Sequence, residues 1–297
     1  MNIKKSGMIT LCGRPNVGKS TLTNALVGEK IAIVSNKPQT TRNRICAVLT
    51  RGENQFVFMD TPGLHKPRSR LGDYMVDVVR RSVADVDAVL LLVEPIANIG
   101  APEQELIERI KALGAPSVLV INKIDTVPKE ALLEVMQVYS AAHEFQGILP
   151  ISAKDGDGVE ALLDLVSSFL PEGPQLFPDD MVTDQPEKQV CAEIVREKLL
   201  MFLDKEIPHG TAVEVTKFSE RDSGIIDLHV TIYCERSSHK GIIIGKSGAM
   251  LKKISTYARQ DVERFMGTKV YMETWVKVKE NWRDNPNQVR NFGYRDE

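Results

Sequence analysis

The eight residues GRPNVGKS at positions 13–20 constrain the fold most strongly. They follow the apolar run MITLC, precede the helix-like residues 21–27, and fit the pattern G-x-x-x-x-G-K-[ST]. Between a strand and a helix this pattern indicates a phosphate-binding loop, because glycines let backbone N–H groups surround phosphate oxygens and the helix N-terminus favours negative charge. A glycine-rich turn that matches by chance is the alternative. The predicted nucleotide-binding residues of this stretch are Gly13, Arg14, Pro15, Asn16, Val17, Gly18, Lys19, Ser20 and Thr21.

Apolar runs that alternate with helix-like stretches predict a doubly wound α/β domain over residues 1–172. Three of the runs are almost continuously apolar, which is typical of parallel strands buried on both faces. Two strand-like segments flank RGEN at 51–54 and predict an antiparallel hairpin at the edge of the sheet. The strand-like runs are 8–12, 45–50, 55–59, 88–93, 117–121 and 148–151.

A different pattern begins after a proline-rich stretch, which we interpret as a linker over residues 173–186. From 187 to 297 the order is helix, strand, strand, helix, helix, strand, which predicts a smaller α+β domain. Residues 240–297 hold twelve Lys or Arg and seven Asp or Glu, a balance of +5. The net charge of the whole chain is −2, so residues 1–239 carry about −7. A basic end on an acidic chain indicates a polyanionic partner for that end.

The composition agrees with two domains in a reducing compartment. The chain has 297 residues, 42% of them hydrophobic and 26% charged, as is usual for globular proteins. Its four cysteines lie far apart, so we expect buried thiols and no disulfides. No apolar run approaches the length of a bilayer span. We therefore expect a cytoplasmic protein, or at most one on a membrane surface.

Three further motifs, DTPG, NKID and SAK, follow predicted strands, at the sheet edge where open α/β folds bind ligands. In the first, DTPG, Asp60 can hold the water of a metal ion and the Gly63 N–H can meet the γ-phosphate. In the second, NKID, the Asp125 carboxylate can accept hydrogen bonds from N1–H and the exocyclic amino group of guanine, whereas adenine offers an unpaired acceptor. The sequence therefore predicts GTP, not ATP. The predicted residues are Asp60, Thr61, Pro62, Gly63, Asn122, Lys123, Asp125, Ser152, Ala153 and Lys154.

The order GRPNVGKS, QTTRN, DTPG, NKID, SAK resembles translation-factor-class small GTPases, and KPQTTRNRI and DTPGLHKP resemble the Era family of bacterial ribosome-assembly GTPases. This resemblance implies a Mg²⁺ site at Ser20, Thr41 and Asp60, with the aspartate acting through water. It also implies that Thr41 is the switch threonine, which closes on Mg²⁺ in the GTP state, with Thr40 as the second choice. Leu64 stands where Ras-like enzymes carry a water-orienting glutamine, so we expect slow intrinsic hydrolysis. Asn16 either helps to hold K⁺, as in related GTPases, or simply fits the turn.

The stretch HKGIIIGKSGAMLKKI contains Gly-x-x-Gly after an apolar run and before an amphipathic helix. It resembles the loop with which KH domains clamp about four nucleotides, and the order of elements resembles the type II KH arrangement. A solvated, charged start of a helix is the alternative. Aromatic and basic residues near the C-terminus could also stack on bases (Trp275, Trp282, Arg283 and Tyr294). The predicted RNA-binding residues are Lys240, Gly245, Lys246, Ser247, Gly248, Lys252 and Lys253.

The resemblance implies a monomeric GTPase switch that binds GTP or GDP and the 3′ end of 16S rRNA during maturation of the 30S ribosomal subunit. Peripheral contact with the cytoplasmic face of the inner membrane is left open. One alternative is an RNA-binding adaptor in which the nucleotide only stabilises the fold; a single-turnover hydrolysis assay distinguishes it. A tRNA-modifying GTPase is a further alternative, but such enzymes carry folate or cysteine chemistry that this chain lacks.

Overall fold

A six-stranded sheet lies at the centre of the first part of the chain, in the order β2-β3-β1-β4-β5-β6. All neighbouring strands are parallel except the β2–β3 hairpin, which is antiparallel at the edge as predicted. The computed structural model describes residues 3–63, 69–82 and 86–294. The strands are β1 (Lys5–Cys12), β2 (Ile45–Arg51), β3 (Asn54–Asp60), β4 (Ala88–Val93), β5 (Ser117–Ile121) and β6 (Gly147–Pro150).

Helices cover both faces of this sheet, which confirms the doubly wound fold. Apolar side chains of the first and fifth helices pack in a core on one face, and those of the third and fourth pack in a core on the other. The third helix has a proline in its first turn and Gly114 at its C-cap in the left-handed conformation, which are common signals for the two ends of a helix. The helices are α1 (Lys19–Val27), α2 (Arg70–Ser82), α3 (Ala101–Leu113), α4 (Lys129–Ala142) and α5 (Val159–Ser167).

The proline-rich segment that we interpreted as a linker packs against the hairpin. The side chain of Gln55 accepts hydrogen bonds from the N–H groups of residues 176 and 177, and Val48 N–H donates to the Val182 carbonyl at 2.9 Å. Ala47 also pairs with Thr183. These contacts form because β2 is an edge strand whose backbone groups need partners. The segment up to Asp184 therefore belongs to the first structural unit.

The second unit has a three-stranded sheet in the order β7-β8-β9, with β7 antiparallel and β9 parallel to β8. Alternate residues of β8 pack against the helices of this unit in its core, which follows from the period of two in a strand. The predicted order of elements is confirmed. They are α6 (Glu187–Phe202), β7 (Ala212–Glu220), β8 (Ile226–Cys234), α7 (Ser237–Ile244), α8 (Ala249–Met266), β9 (Val270–Val278) and a short α9 (Pro286–Asn291).

The two structural units do not divide the chain at one point. Among the described residues, the first unit comprises 3–32, 41–63 and 75–184, and the second comprises 33–40, 69–74 and 185–294. All four cysteines are buried, and none forms a disulfide bond with another described residue. Within the described ranges no helix has both the length and the apolar character needed to cross a membrane.

Candidate functional site: phosphate loop, base site and Gly-x-x-Gly loop

The loop between β1 and α1 has a backbone that only glycine accommodates well. Gly13 and Gly18 have φ angles of 150° and 101°, in the region that L side chains rarely adopt. A Cβ atom on Gly13 would lie 2.4 Å from the Leu92 carbonyl oxygen, and one on Gly18 would lie 2.1 Å from the Asn122 side chain. The two glycines therefore let the loop turn tightly over the carboxyl end of the sheet.

Lys19 follows this turn and is almost completely buried, with 6% of its surface exposed. Its Nζ donates hydrogen bonds to the carbonyl oxygens of Gly13 and Arg14, at 3.1 and 3.0 Å, so the ammonium group lies within the loop. Burial lowers the pKa of Lys19, and the nearby negative charge of Asp60 acts in the opposite direction. An ammonium group enclosed by a glycine-rich loop is suited to phosphate oxygens.

Three oxygen-bearing side chains meet beside this loop. The Ser20 hydroxyl donates to Asp60 Oδ2 at 2.6 Å and lies 2.9 Å from the Thr41 hydroxyl. Asp60 is fully buried, and burial raises its pKa while Lys19 and the Ser20 hydrogen bond lower it. Its second oxygen, Oδ1, has no hydrogen-bond partner among the described residues. Hydroxyl and carboxylate oxygens are ligands that Mg²⁺ accepts, so these residues fit the predicted metal.

Thr40, the second choice for the switch threonine, uses its hydroxyl elsewhere. It donates to the Lys37 carbonyl oxygen at 2.7 Å. The geometry thus favours Thr41 over Thr40 as the metal ligand.

The DTPG motif leaves β3 at the same edge of the sheet. Thr61 is buried and its hydroxyl donates to the Leu11 carbonyl oxygen at 2.9 Å. A Cβ atom on Gly63 would lie 2.6 Å from the Pro15 nitrogen, so this glycine approaches the phosphate loop closely. Pro62 lies between these two residues. Leu64, on which the expectation of slow hydrolysis depends, lies outside the described residues.

Asn122 connects the NKID motif to the two other loops. Its Nδ2 donates to the Val17 carbonyl at 2.8 Å, and its Oδ1 accepts from Ala153 N–H at 3.0 Å. Ser152 is buried, and its hydroxyl lies 3.0 Å from Asp125 Oδ1. Asp125 itself is exposed. The structure therefore brings together the predicted base-binding residues, with one carboxylate oxygen of Asp125 held and the side chain open to solvent.

The remaining predicted nucleotide residues flank this core. Lys123 forms an ion pair with Glu94 at 2.6 Å, and Lys154 is exposed. Arg14 pairs with the buried Glu103 of α3. Val17 is buried and Thr21 is half-buried. Asn16 is exposed and left-handed, with a φ of 66°, which asparagine tolerates better than most residues.

Sequence reasoning missed the two acidic partners, Glu94 and Glu103. Glu94 directly follows the last residue of β4, so its place at the carboxyl end of a buried strand could have indicated it. Glu103 lies in the first turn of α3, where a carboxylate is common for reasons of helix dipole alone. Its pairing with Arg14 could not be inferred from that position.

The Gly-x-x-Gly loop of the second unit connects α7 to α8. Gly245, Ser247 and Gly248 all have positive φ angles, of 73°, 50° and 79°. A Cβ atom on Gly245 would lie 2.7 Å from Met250 Cβ, whereas one on Gly248 would meet nothing within 4 Å. Gly248 thus faces open space at the start of α8. A nucleic-acid backbone could approach closely there.

Most of the predicted basic residues around this loop are exposed. Lys246, Lys252 and Lys253 reach solvent, and Lys240 is half-buried. Lys253 also lies over the ring of Phe202, with its Nζ 4.3 Å from the ring centroid. The loop therefore carries accessible positive charge on both sides.

Two of the three C-terminal aromatic residues considered for stacking on bases are buried. Trp282 is fully buried and donates from Nε1 to the Gly210 carbonyl at 2.9 Å. Tyr294 is 5% exposed and stacks on Trp282, and Arg283 pairs with Glu235 at 2.6 Å. These three residues are occupied within the unit. Trp275 is 43% exposed and lies against His229, so part of its ring remains accessible.

Comparison with protein families agrees with this geometry. The family described as a 50S ribosome-binding GTPase matches residues 8–123, and the KH domain family matches residues 206–283. The GTPase Era of Ruminiclostridium cellulolyticum is 51% identical over 291 residues, covering 98% of each chain. That of Alkaliphilus metalliredigens is 52% identical over 98% of this chain and 99% of its own.

Solved structures of Era also match over almost the whole chain. A crystal structure of Era in complex with MgGDPNP and nucleotides 1506–1542 of 16S ribosomal RNA matches with a TM-score of 0.94 at 39% identity. A single-residue variant of Aquifex aeolicus Era bound to GDP·AlF4⁻ matches with a TM-score of 0.93 at 39% identity. Both cover 98% of this chain and 99% of their own.

A phosphate loop, a guanine-type base site and a second domain of the KH class define this chain as a GTPase with a KH domain. These two relatives are about half identical to this chain over nearly its full length, which is sufficient to assign its family. The chain belongs to the Era family of GTPases.

Proposed function

We propose that this GTPase is a nucleotide-dependent switch whose KH domain binds the 3′ end of 16S rRNA during maturation of the 30S subunit. The observation that carries the proposal is the Gly-x-x-Gly loop, which is exposed, basic and open at Gly248. The related Era structure that contains nucleotides 1506–1542 of 16S rRNA supports the choice of RNA.

In the proposed GTP complex, the backbone N–H groups of residues 13–18 and the Lys19 ammonium bind the phosphates. Lys19 would exchange its two carbonyl partners in the loop for phosphate oxygens, which are stronger acceptors. Mg²⁺, when bound, would offset phosphate charge and stabilise the transfer of the γ-phosphoryl group. Ser20 and Thr41 would hold it directly, and Asp60 through water.

Asp125 would select guanine by accepting hydrogen bonds from N1–H and the exocyclic amino group with its two carboxylate oxygens, because Oδ1 can accept from the base as well as from the Ser152 hydroxyl. Asn122 would hold the base site and the phosphate loop in a fixed arrangement, because its side chain forms hydrogen bonds with the backbone of both. No side chain is proposed as a general base. We propose that intrinsic hydrolysis of GTP is slow. A K⁺ ion held at Asn16 stays a prediction, which a comparison of hydrolysis rates in KCl and NaCl would test.

Gly248→Asp should weaken RNA binding by at least about 10-fold while GTP affinity stays unchanged. The variant adds a negative charge at the point of phosphate approach, and a φ of 79° is unfavourable for aspartate. Anisotropy with a labelled 16S 3′-end oligonucleotide gives the affinity at several salt concentrations. Gly224→Asp is the matched control, because Gly224 also has a positive φ (76°) and open space, but lies in the β7–β8 turn. Equal affinities for the Gly248 variant and the native protein would reject the proposed RNA site.

GTP and RNA should each tighten the binding of the other. Couplings between sites are commonly about 1–3 kcal/mol, or roughly 5- to 150-fold in affinity, and they are reciprocal. Affinity for the same oligonucleotide is measured with GDP and with a non-hydrolysable GTP analogue. Identical values would show that the nucleotide state does not control RNA binding.

The cellular setting is also a proposal. An rRNA target places the protein in the cytoplasm, and we propose that it acts as a monomer, which light scattering would test. Peripheral contact with the inner membrane stays a prediction, which co-sedimentation with anionic vesicles would measure.

A further inference from the structure

Residues 33–40, which immediately precede the switch threonine, are held by the first helix of the second unit. The Val34 N–H donates to Glu197 Oε1 at 3.0 Å. The Lys37 ammonium donates to the Leu203 carbonyl oxygen just beyond the end of α6 and lies 3.2 Å from Asp204 Oδ1. At the end of the segment, Arg196 contacts the backbone of residues 39 and 40. The segment is therefore attached at its start, middle and end.

Among the residues that hold this segment, Arg196 is the most unusual, because its side chain is completely buried. Its Nη2 donates to the Thr40 carbonyl and its Nη1 lies 3.5 Å from the Gln39 carbonyl. On the opposite side, Nε and Nη2 bond to the two carboxylate oxygens of Glu193, at 2.8 and 2.5 Å. Burial by itself lowers the pKa of Arg196, but Glu193 raises it, so the guanidinium remains charged.

A buried guanidinium is costly unless its donors are satisfied. Glu193 supplies its charge partner, but α6 itself supplies no acceptor for the donors that point at residues 39 and 40. Those carbonyl groups belong to a strained turn, since Gln39 has a φ of 60°, which non-glycine residues disfavour. Arg196 and this turn thus stabilise each other.

The next residue in the chain is Thr41, whose hydroxyl lies 2.9 Å from that of Ser20. One peptide bond separates the carbonyl carbon of Thr40 from the backbone nitrogen of Thr41. We infer that Arg196 is a positioning residue for the switch: by fixing the Thr40 carbonyl, it places the Thr41 hydroxyl at the metal site. This inference rests on the proposed function, because it needs Thr41 to act in the GTP state.

The inference predicts a loss that is selective for the triphosphate. Arg196→Gln should weaken binding of a fluorescent non-hydrolysable GTP analogue with Mg²⁺ by about 10-fold, since one to two charge-assisted hydrogen bonds no longer fix the turn. GDP affinity should change by less than about 2-fold on the same scale, because Thr41 is not expected to contact the GDP complex. Arg196→Lys should recover part of the loss.

A double-mutant cycle separates positioning from general destabilisation. If Arg196 acts through Thr41, then Arg196→Gln should cause no further loss of analogue affinity in a Thr41→Ala background. Arg259→Gln is the matched control: Arg259 also pairs with a glutamate on a helix of the second unit, at 3.0 Å. That variant should leave both nucleotide affinities unchanged.

Lys37→Met tests the same segment at a more accessible site, in case the Arg196 variants fold poorly. It should show a smaller loss with the same selectivity for the triphosphate. Equal losses of affinity for GDP and for the analogue would overturn the inference. So would a loss of analogue affinity in Arg196→Gln that multiplies with the loss caused by Thr41→Ala. No selectivity in either Arg196→Lys or Lys37→Met would overturn it as well. Failure of the native protein to bind guanine nucleotides would instead refute the proposed function.

Discussion

Replacing Lys19 with alanine is expected to reduce affinity for GTP and GDP by roughly 10²- to 10⁴-fold. The Lys19 ammonium would form two hydrogen bonds to phosphate oxygens, each worth about 1.5–3 kcal/mol when both partners are charged, and 1.4 kcal/mol corresponds to a factor of ten. The side chain is buried inside the loop, where it donates to the carbonyl oxygens of Gly13 and Arg14.

Isothermal titration calorimetry or a fluorescent nucleotide measures this effect. Lys111→Ala is the control, because Lys111 is an exposed lysine in the last turn of α3, paired with Glu108. The thermal unfolding midpoint of both variants shows whether the fold is kept. Native-like nucleotide affinity in Lys19→Ala, with the fold intact, would mean that the phosphates bind elsewhere.

Asp125→Asn is expected to change the preferred base from guanine to xanthine. Guanine has an amino group where xanthine has a carbonyl, so an amide donor matches xanthine and a carboxylate matches guanine. A site left with mismatched polar groups commonly discriminates by about 10⁴-fold or more. In the variant, Oδ1 can still accept from the Ser152 hydroxyl, so the amide nitrogen occupies the place of the free carboxylate oxygen.

The measurement is the ratio of affinities for GTP and xanthosine triphosphate in both proteins. Asp155→Asn is a close control, because Asp155 Oδ2 lies 2.8 Å from the same Ser152 hydroxyl. That variant should keep the preference for GTP. If Asp125→Asn retained full GTP affinity and gained none for the xanthine nucleotide, the proposed contact with the base would be wrong.

Local sequence determined the fold of each unit to a large extent. Nearly continuous apolar runs predicted the buried parallel strands of the first unit, and the predicted order of elements in the second unit is the observed one. The motifs that follow strands had to meet at one edge, because parallel strands end on the same side of a sheet. The contacts of Asn122 with Val17 and Ala153 are the result. These features depend on neighbours in sequence or on the sheet's own geometry.

Tertiary structure decided the contacts between residues far apart in the chain. The composition of the proline-rich segment indicated a linker, but it did not indicate that the open edge of β2 provides partners for the backbone of this segment. Trp282 looked available for stacking, yet it is fully buried. Nothing near Arg196 in the sequence indicates that its donors reach the carbonyl groups of residues 39 and 40. Such pairings are set by which unsatisfied groups meet when the chain packs, and a linear pattern does not carry that information.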